Sequence, residues 1–234
     1  MKFSIILPTW NNLGYLKVCL DSIKKNSKYE HDINVHVNDG SDGTVEYLSS
    51  KGIKFNHSVE NMGLCKGANS AATLAETDYI IYTHDDMYFL PNWDFFLNEE
   101  IKKLKTNLYY ISGTMMGPKG CGFLEFNCGT TFNDFDEAKL LKNFHNFNYF
   151  DHQGTHWAPH LIHKTIWNMV GGFSKEFDPG FASDTDLNMK LWKEGVRIFK
   201  GINNFKVYHF GSITTRKKDE LKQNRGDRTF LKKW

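Results

Sequence analysis

Two adjacent carboxylates follow an apolar run near the middle of the chain. Residues 79–82 are aromatic or aliphatic, and Asp85 and Asp86 come within four residues of that run. Neighbouring carboxylates repel each other, and a bound cation relieves this repulsion. The pair therefore favours a cation site, although a polar loop with two solvated acids explains the same residues. This stretch alone does not decide between the two interpretations.

The pattern around this stretch predicts which elements position the carboxylates. Apolar runs at 3–7, 33–37, 53–55 and 79–82 are typical of strands, and Leu13, Leu16, Leu20 and Ile23 repeat at helical spacing. Strands that alternate with helices predict a doubly wound, mostly parallel α/β sheet. In such sheets ligands bind outside the carboxyl ends of the strands. We therefore expect Asp85 and Asp86 to lie in the ligand crevice.

The connection after residues 33–37 is open to two interpretations. Asn38, Asp39 and Gly40 could form a hairpin turn, but residues 44–48 have a helical pattern rather than that of a return strand. A crossover helix keeps the sheet parallel. We therefore predict a parallel connection here.

The second half is less regular. We predict strands at 109–114, 123–126 and 207–210, and helices at 94–104 and 137–144. A helical turn is expected within 162–170, and another helix ends at Gly195. Residues 213–234 are rich in lysine and arginine. This basic tail is either solvated or closes over an anionic ligand through Arg216, Lys217 or Lys218.

Composition limits the class of protein. The chain has 234 residues, 40% of them hydrophobic, which suits one domain with a substantial core. A formal charge of +2 argues against a general nucleic-acid binder. No apolar run reaches the roughly 18–20 residues that span a bilayer, and the first residues lead into a strand rather than a signal peptide. We expect a soluble, cytoplasmic protein without a membrane span.

Several segments together resemble a known family. They are 4–11, 38–43, 60–63, the strand that ends in Asp85 and Asp86, 171–173, 183–187 and 208–209. In order and spacing they are similar to family 2 glycosyltransferases of the GT-A fold, over residues 1 to about 212. The resemblance implies a nucleotide-sugar-binding half at 1–110, a smaller acceptor-binding region of mixed sheet at 111–212, and a separate tail at 213–234.

The resemblance also implies a site. A divalent metal, Mn²⁺ or Mg²⁺, would be bound by Asp86 and His209, and Asp184 matches the carboxylate that acts as general base. Trp157 and Asp186 are candidates for contact with the acceptor. The residues expected to contact the nucleotide-sugar donor are Pro8, Thr9, Asn11, Asp39, Asn61, Gly63, Lys66 and Asp85.

The implied activity is metal-dependent transfer of one hexosyl or related sugar, with inversion. The donor would be a UDP, GDP or dTDP sugar, and the acceptor a hydroxyl of a glycan or another molecule. A metal ion offsets the charge that grows on the leaving diphosphate. A carboxylate takes the proton of the attacking hydroxyl, typically contributing about 10²–10⁴-fold.

Some residues depart from the family pattern or have simpler explanations. His84 stands where the family often has an acid, and residues two apart in a strand share a face, so His84 and Asp86 could point together. Ser183 and Asp186 also fit a capping box at a helix start. His209, at the end of an apolar strand, could be a packed core residue.

Two rival functions remain at this stage. One is a catalytically silent glycan- or nucleotide-binding domain with the same fold. The other is a sugar-phosphate nucleotidylyltransferase, but residues 7–10 lack the glycine-rich, basic phosphate loop that such an enzyme needs. The three histidines at 152, 156 and 160 match no zinc-site spacing.

Overall fold

The computed structural model describes residues 1–120, 122–211 and 226–234. Its described strands form one mixed sheet in the order β3-β2-β1-β4-β9-β6-β10-β5, with β7 beside β6 and β8 beside β10. The strands are β1 (Ser4–Trp10), β2 (Asp32–Asn38), β3 (Lys54–Ser58), β4 (Tyr79–Tyr82), β5 (Met87–Phe89), β6 (Tyr109–Gly117), β7 (Leu124–Glu125), β8 (His152–Gln153), β9 (His160–His163) and β10 (Ile198–His209). The helices are α1 (Leu13–Asn26), α2 (Thr44–Lys51), α3 (Leu64–Ala72), α4 (Trp93–Lys103), α5 (Glu137–Asn143), α6 (Lys164–Val170), α7 (Ser183–Lys193) and α8 (Gly226–Lys233).

The first half of the sheet is parallel. β1 pairs in parallel with β2 and with β4, and β2 pairs in parallel with β3. Ile5, Ile6 and Leu7 of β1 are all fully buried, so both faces of this central strand are covered. This confirms the predicted α/β sheet and the crossover after β2, where helix α2 follows the turn at Gly40.

The second half is mixed, as the smaller acceptor-side region was expected to be. β9 runs antiparallel to both β4 and β6, β6 and β10 are parallel, and β5 is antiparallel to β10. β4, β6 and β10 therefore point the same way, although the antiparallel strand β9 lies between β4 and β6. Their carboxyl ends lie at the same edge as those of β1 and β2.

Two strands differ from the sequence prediction. β9 was not predicted: the helical turn expected within 162–170 is present as α6, but residues 160–163 pair with β4 and β6 before that helix begins. β10 extends over twelve residues rather than only its last few. Its polar centre, with Asn203 and Asn204, coincides with a register shift against β6, which explains why the sequence pattern breaks there.

The capping-box interpretation of residues 183–186 is wrong. The N-cap position of α7 is Ala182, which has a φ of 62° and makes no side-chain cap. The carboxylate of Asp186 instead accepts hydrogen bonds from the Ser174 hydroxyl (2.6 Å) and the Trp234 indole N–H (2.9 Å). Lys233 lies 2.8 Å from the same carboxylate, which is fully buried.

The end of the basic tail thus packs against the helix that carries Asp184. Lys233 also forms an ion pair with Glu176 at 2.7 Å, which joins α8 to the segment before α7. The tail residues Arg216, Lys217 and Lys218, considered above for phosphate contact, lie outside the described residues. Among the helices that the structure describes, each is too short or too polar to cross a bilayer.

Candidate functional site

The carboxyl ends of the parallel strands bring the predicted residues to one edge of the sheet. Because β1 pairs in parallel with β2 and β4, the segments that follow Trp10, Asn38 and Tyr82 leave the sheet side by side. β10 brings His209 to the same edge, where the Phe210 N–H donates to the Asp86 carbonyl at 3.1 Å. Asp39, Asp85, Asp86 and His209, which are far apart in sequence, therefore belong to one site.

His84, Asp86 and His209 form a cluster suited to a metal ion. One ligand atom from each lies within 4.8 Å of the other two. His209 Nε2 is 3.4 Å from Asp86 Oδ2, and the two residues are only 7% and 4% exposed. Burial lowers the pKa of His84 to about 4, against the opposing effect of the Asp86 charge, so this imidazole is neutral at neutral pH and able to bind a metal.

The donor set fits a divalent cation. One carboxylate and two imidazoles favour a Mn²⁺-type ion over Mg²⁺, which prefers oxygen ligands. His84 and Asp86 lie in the turn between β4 and β5, beyond the end of the strand, so this turn rather than strand alternation brings them together. Asp86 and His209 had been expected as ligands from the resemblance, and His84 is the third residue that the geometry adds to them.

Asp85 points toward β1 instead. It accepts hydrogen bonds from the Thr9 hydroxyl at 2.6 Å and the Asn12 side-chain N–H at 3.0 Å. Burial, followed by the negative charge of Asp86, raises the pKa of Asp85 to about 7. Asn12 was not among the residues expected from the sequence, although its position in the β1–α1 loop, next to Asn11, was a signal that could have found it.

Asn11 and Asp39 connect the ends of β1 and β2. The Asn11 side chain donates to Asp39 Oδ2 at 2.8 Å and accepts from the Gly40 N–H at 3.0 Å. Asp39 Oδ1 also accepts from the Ser41 N–H at 3.2 Å, a local turn bond typical of an aspartate on a glycine-flanked turn. Hydrogen bonds from Ser41 and then Asn11 lower the pKa of Asp39. Asp39 is partly exposed, so contact with a nucleotide stays a prediction.

The start of α3 is bound by a carboxylate from the segment before α7. Asp178 accepts a hydrogen bond from the Cys65 N–H at 2.7 Å. Gly63 has a φ of +99°, and a Cβ at this position would lie 2.4 Å from the Asp178 carboxylate. Asn61 accepts from the Gly63 N–H at 2.9 Å, and the Lys66 side chain is exposed. Sequence reasoning missed Asp178, because it lies more than a hundred residues from its partner.

Asp184 lies in the first turn of α7, over the sheet. Burial raises the pKa of this carboxyl to about 7. The Asp184 charge in turn raises the pKa of Tyr82 and of Tyr110, so the carboxylate is close to β4 and β6. Within the part of the chain that the structure describes, Asp184 Oδ1 has no hydrogen-bond partner. A buried carboxylate oxygen without a partner is available to accept a proton from a substrate.

The two candidates for acceptor contact differ. Trp157 donates its indole N–H to the Gly113 carbonyl at 2.9 Å, and its partly exposed ring packs 4.2 Å from Phe123 and stacks on His152. It remains a candidate for stacking on a sugar ring. Asp186 is fully buried by its contacts with α8 and is therefore a structural residue.

Solved structures with the same fold include S. aureus TarS and GalNAc-T7. The S. aureus TarS fragment 1–349 aligns with a TM-score of 0.66 and 19% identity, over 89% of this chain and 60% of that one. The same fragment in complex with UDP-GlcNAc gives 0.62 and 16%, over 89% and 58%. GalNAc-T7 with UDP, GalNAc and Mn²⁺ gives 0.67 and 14%, over 89% and 44%. The chain thus spans less than two thirds of each. At these identities the likeness establishes the GT-A fold.

Sequence comparison gives the family. No curated protein sequence matches the chain significantly. Residues 4–165, however, match the family model described as glycosyl transferase family 2, and this segment contains β1 to β9 together with Asp39, Asp85 and Asp86. Since the match covers more than half of the chain and the fold agrees with it, the protein belongs to glycosyl transferase family 2.

Proposed function

We propose that this protein is a metal-dependent, inverting glycosyltransferase that moves one sugar from a nucleoside diphosphate sugar to an acceptor hydroxyl. Two observations carry the proposal: the His84, Asp86 and His209 cluster suited to a metal ion at the strand ends, and the Asp184 Oδ1 atom, which has no hydrogen-bond partner among the described residues. A metal ion in the cluster would bind the diphosphate of a donor, and the Asp184 carboxylate would accept the proton of an attacking hydroxyl.

The metal would be held by His84, Asp86 and His209. When bound, a divalent ion supplies Lewis-acid stabilisation of the charge on the leaving diphosphate. Asp86 would provide one anionic ligand and the two imidazoles would provide neutral ones. A divalent ion held this way would keep a net positive charge, which attracts the phosphates. Mn²⁺ in the GalNAc-T7 complex, and the donor set here, both support Mn²⁺ as the first ion to test.

The donor would lie across the ends of β1, β2 and β4. Asp39 would accept hydrogen bonds from the base, and Asp85, held by Thr9 and Asn12, would contact the ribose or the sugar. Hydrogen bonds within the protein already orient both carboxylates, so little ordering of these side chains is needed when the donor binds. The TarS complex with UDP-GlcNAc supports a nucleoside diphosphate sugar as donor.

Asp184 would act as the general base. Its raised pKa, about 7, makes the carboxylate a better proton acceptor than an exposed aspartate. Asp85 is held by Thr9 and Asn12, and Asp86 lies against His209. With Asp184 as the base and no covalent nucleophile, the reaction would be a single displacement, in which the hydroxyl attacks the anomeric carbon and inverts it.

The test is release of nucleoside diphosphate from UDP, GDP and dTDP sugars in the presence of Mn²⁺, with and without candidate acceptors. Wild-type protein should hydrolyse one class of donor slowly without an acceptor. Asp184→Asn should retain donor binding and lose transfer. Binding of a donor by the wild type without any turnover would instead identify a silent binding domain, and turnover by Asp184→Asn would contradict the role of the base.

A further inference from the structure

Helix α8 contacts the start of α7 at both of its own ends. At the first residue of α8, a Cβ on Gly226 would overlap the Phe181 carbonyl, so the two backbones lie directly against each other. At the other end, Lys233 Nζ lies 2.8 Å from Asp186 Oδ1, and the Trp234 indole N–H donates to the same oxygen at 2.9 Å. The eight residues of α8 therefore lie along the first turn of α7 and the chain just before it.

The Asp186 carboxylate joins three segments of the chain. Its second oxygen accepts a hydrogen bond from the Ser174 hydroxyl at 2.6 Å. Lys233 also donates to that hydroxyl oxygen at 3.0 Å and pairs with Glu176 at 2.7 Å. The carboxylate is fully buried, and a buried charge is tolerated where it is paired and hydrogen-bonded in this way. Asp186 thus connects α7 to α8 and to the segment before α7.

The first turn of α7 has no side-chain cap of its own. Ala182, at the N-cap position, has a φ of 62°. A residue other than glycine keeps such a conformation only where the surrounding structure holds it. The hydroxyls of Ser183 and Thr185 donate to the carbonyls of Gly180 and Ala182 at 2.6 Å and 2.9 Å, and these bonds are local. The bonds of Asp186, in contrast, link the turn to α8.

Asp184 depends on this turn for its position. Its Oδ1 atom has no hydrogen-bond partner among the described residues, so no bond at that atom fixes the side chain. Residues two apart in a helix do not face each other, so the contacts of Asp186 with α8 do not occupy the side of α7 that carries Asp184. The backbone of the turn therefore sets where this carboxylate lies. A displacement of about 1 Å in a reacting group can cost about 10²-fold in rate.

We propose that α8 positions the base: through Asp186, Lys233 and Trp234 hold the first turn of α7 so that Asp184 meets the acceptor hydroxyl. The inference rests on the proposed function, which gives Asp184 its role as base. Lys233 and Trp234 are then positioning residues that act through Asp186. Helix α8 lies outside residues 4–165, which match the family model, so that match does not supply this role.

The rest of α7 has separate contacts that should survive a change in α8. Farther along the helix, the Asn188 side chain donates to the Thr155 carbonyl at 2.8 Å, and Lys190 donates to the Val170 carbonyl at 3.0 Å. Leu187 and Leu191 are fully buried in the core. Loss of the α8 contacts should therefore loosen the first turn and leave the body of α7 in place.

The experiment compares steady-state turnover of wild type, Lys233→Ala and Lys233→Arg, each as the full chain. The donors are UDP-N-acetylglucosamine, GDP-mannose and dTDP-glucose with Mn²⁺, and the readout is release of nucleoside diphosphate from the donor that the wild type uses. Lys233→Ala should lower kcat at least about tenfold and leave the KM for that donor within about twofold. Lys233→Arg keeps a cation beside Asp186 and should retain most of kcat.

A milder variant and a matched control complete the test. Trp234→Phe keeps an aromatic ring beside Lys193 but removes the indole N–H, so kcat should fall by about threefold. Lys200→Ala is the control. The Lys200 side chain is 29% exposed, against 28% for Lys233, and it pairs with the buried Glu100 at 2.7 Å near the start of β10. Its removal should lower stability but leave kcat unchanged.

Hydrogen exchange measures the order of the turn without any substrate. Relative to peptides from β1, peptides from 180–190 should exchange faster in Lys233→Ala than in wild type. In Lys200→Ala this ratio should stay as in the wild type.

Three results would overturn the inference. They are a kcat within about twofold of wild type in both Lys233→Ala and Trp234→Phe, an equal loss of kcat in Lys200→Ala, and unchanged exchange at 180–190 in Lys233→Ala. Failure of the proposed function has a different signature. The wild type would then turn over no donor with any metal, whereas Lys233→Ala would still speed exchange at 180–190.

Discussion

Replacing Asp184 with asparagine should make the protein more stable at alkaline pH while it abolishes transfer. In the folded protein burial raises the pKa of this carboxyl to about 7, against a usual value of about 3.9 for an unfolded chain. Between these two values the native state holds a proton that the unfolded state has lost. The free energy of unfolding therefore falls as pH rises from about 4 to about 7.

The size of the effect follows from the shift. About three pKa units at 1.36 kcal/mol each give about 4 kcal/mol over the whole range. Roughly 2–3 kcal/mol of this falls between pH 5 and pH 8. Asp184 is partly exposed, and water entering the site reduces the penalty, so we expect about 1–3 kcal/mol. Asparagine has no charge to desolvate and should not show this loss.

The assay is urea unfolding of wild type and Asp184→Asn at pH 5 and pH 8, without metal or nucleotide. The difference in free energy of unfolding between the variant and the wild type should be larger at pH 8 than at pH 5 by about 1–3 kcal/mol. Effects of the substitution that do not depend on pH cancel in this comparison. Asp134→Asn is the control. Hydrogen bonds, first from Thr131, lower the pKa of Asp134 to about 2, so this group is ionised at both pH values. An advantage of Asp184→Asn that does not grow with pH would refute the raised pKa of the Asp184 carboxyl in the folded protein.

Three further outcomes are expected. The value of kcat/KM in the wild type should rise with pH through about 7 as Asp184 ionises, and a flat profile from pH 5 to 8 would contradict the role of the base. Lys233→Ala should lower the free energy of unfolding by about 1–3 kcal/mol, because it removes the cation from the fully buried Asp186; an unchanged urea midpoint would show that the pair is not stabilising. Gly63→Ala should cost about 1–3 kcal/mol, since alanine must adopt a positive φ and meet the Asp178 carboxylate, and a stability within 0.5 kcal/mol of wild type would argue against this geometry.

The sequence predicted the parallel half of the sheet because each strand there is a short apolar run next to a helix of clear period. It missed β9, whose four residues begin and end with histidine and pair with two strands that are distant in sequence. It also shortened β10, where Asn203 and Asn204 interrupt the apolar pattern at the register shift. Long-range pairing determines both strands, and local patterns carry little information about it.

The candidate site likewise has some features that local sequence predicts and others that depend on long-range contacts. The positions of Asp85 and Asp86 after a strand predicted that they would lie at the carboxyl edge. The turn between β4 and β5, rather than strand alternation, brings His84 beside Asp86. The contact of Asp178 with α3 and the burial of Asp186 by α8 could not be read from local sequence, because each depends on a partner far along the chain. The capping-box pattern was misleading for this reason, because the Asp186 carboxylate forms an ion pair with Lys233 of α8 instead of capping α7.

Calorimetric titration of UDP, GDP and dTDP, first with Mn²⁺ and then with EDTA, tests the central claim of a metal-dependent nucleotide site most directly. The account predicts that one nucleotide binds to the wild type only when Mn²⁺ is present. Asp86→Ala should weaken that binding at least about a hundredfold, or about 3 kcal/mol, and Asp21→Ala, which changes an exposed acid on α1, should not. Equal affinity with Mn²⁺ and EDTA, or wild-type affinity in Asp86→Ala, would contradict the assignment of His84, Asp86 and His209 as the metal site.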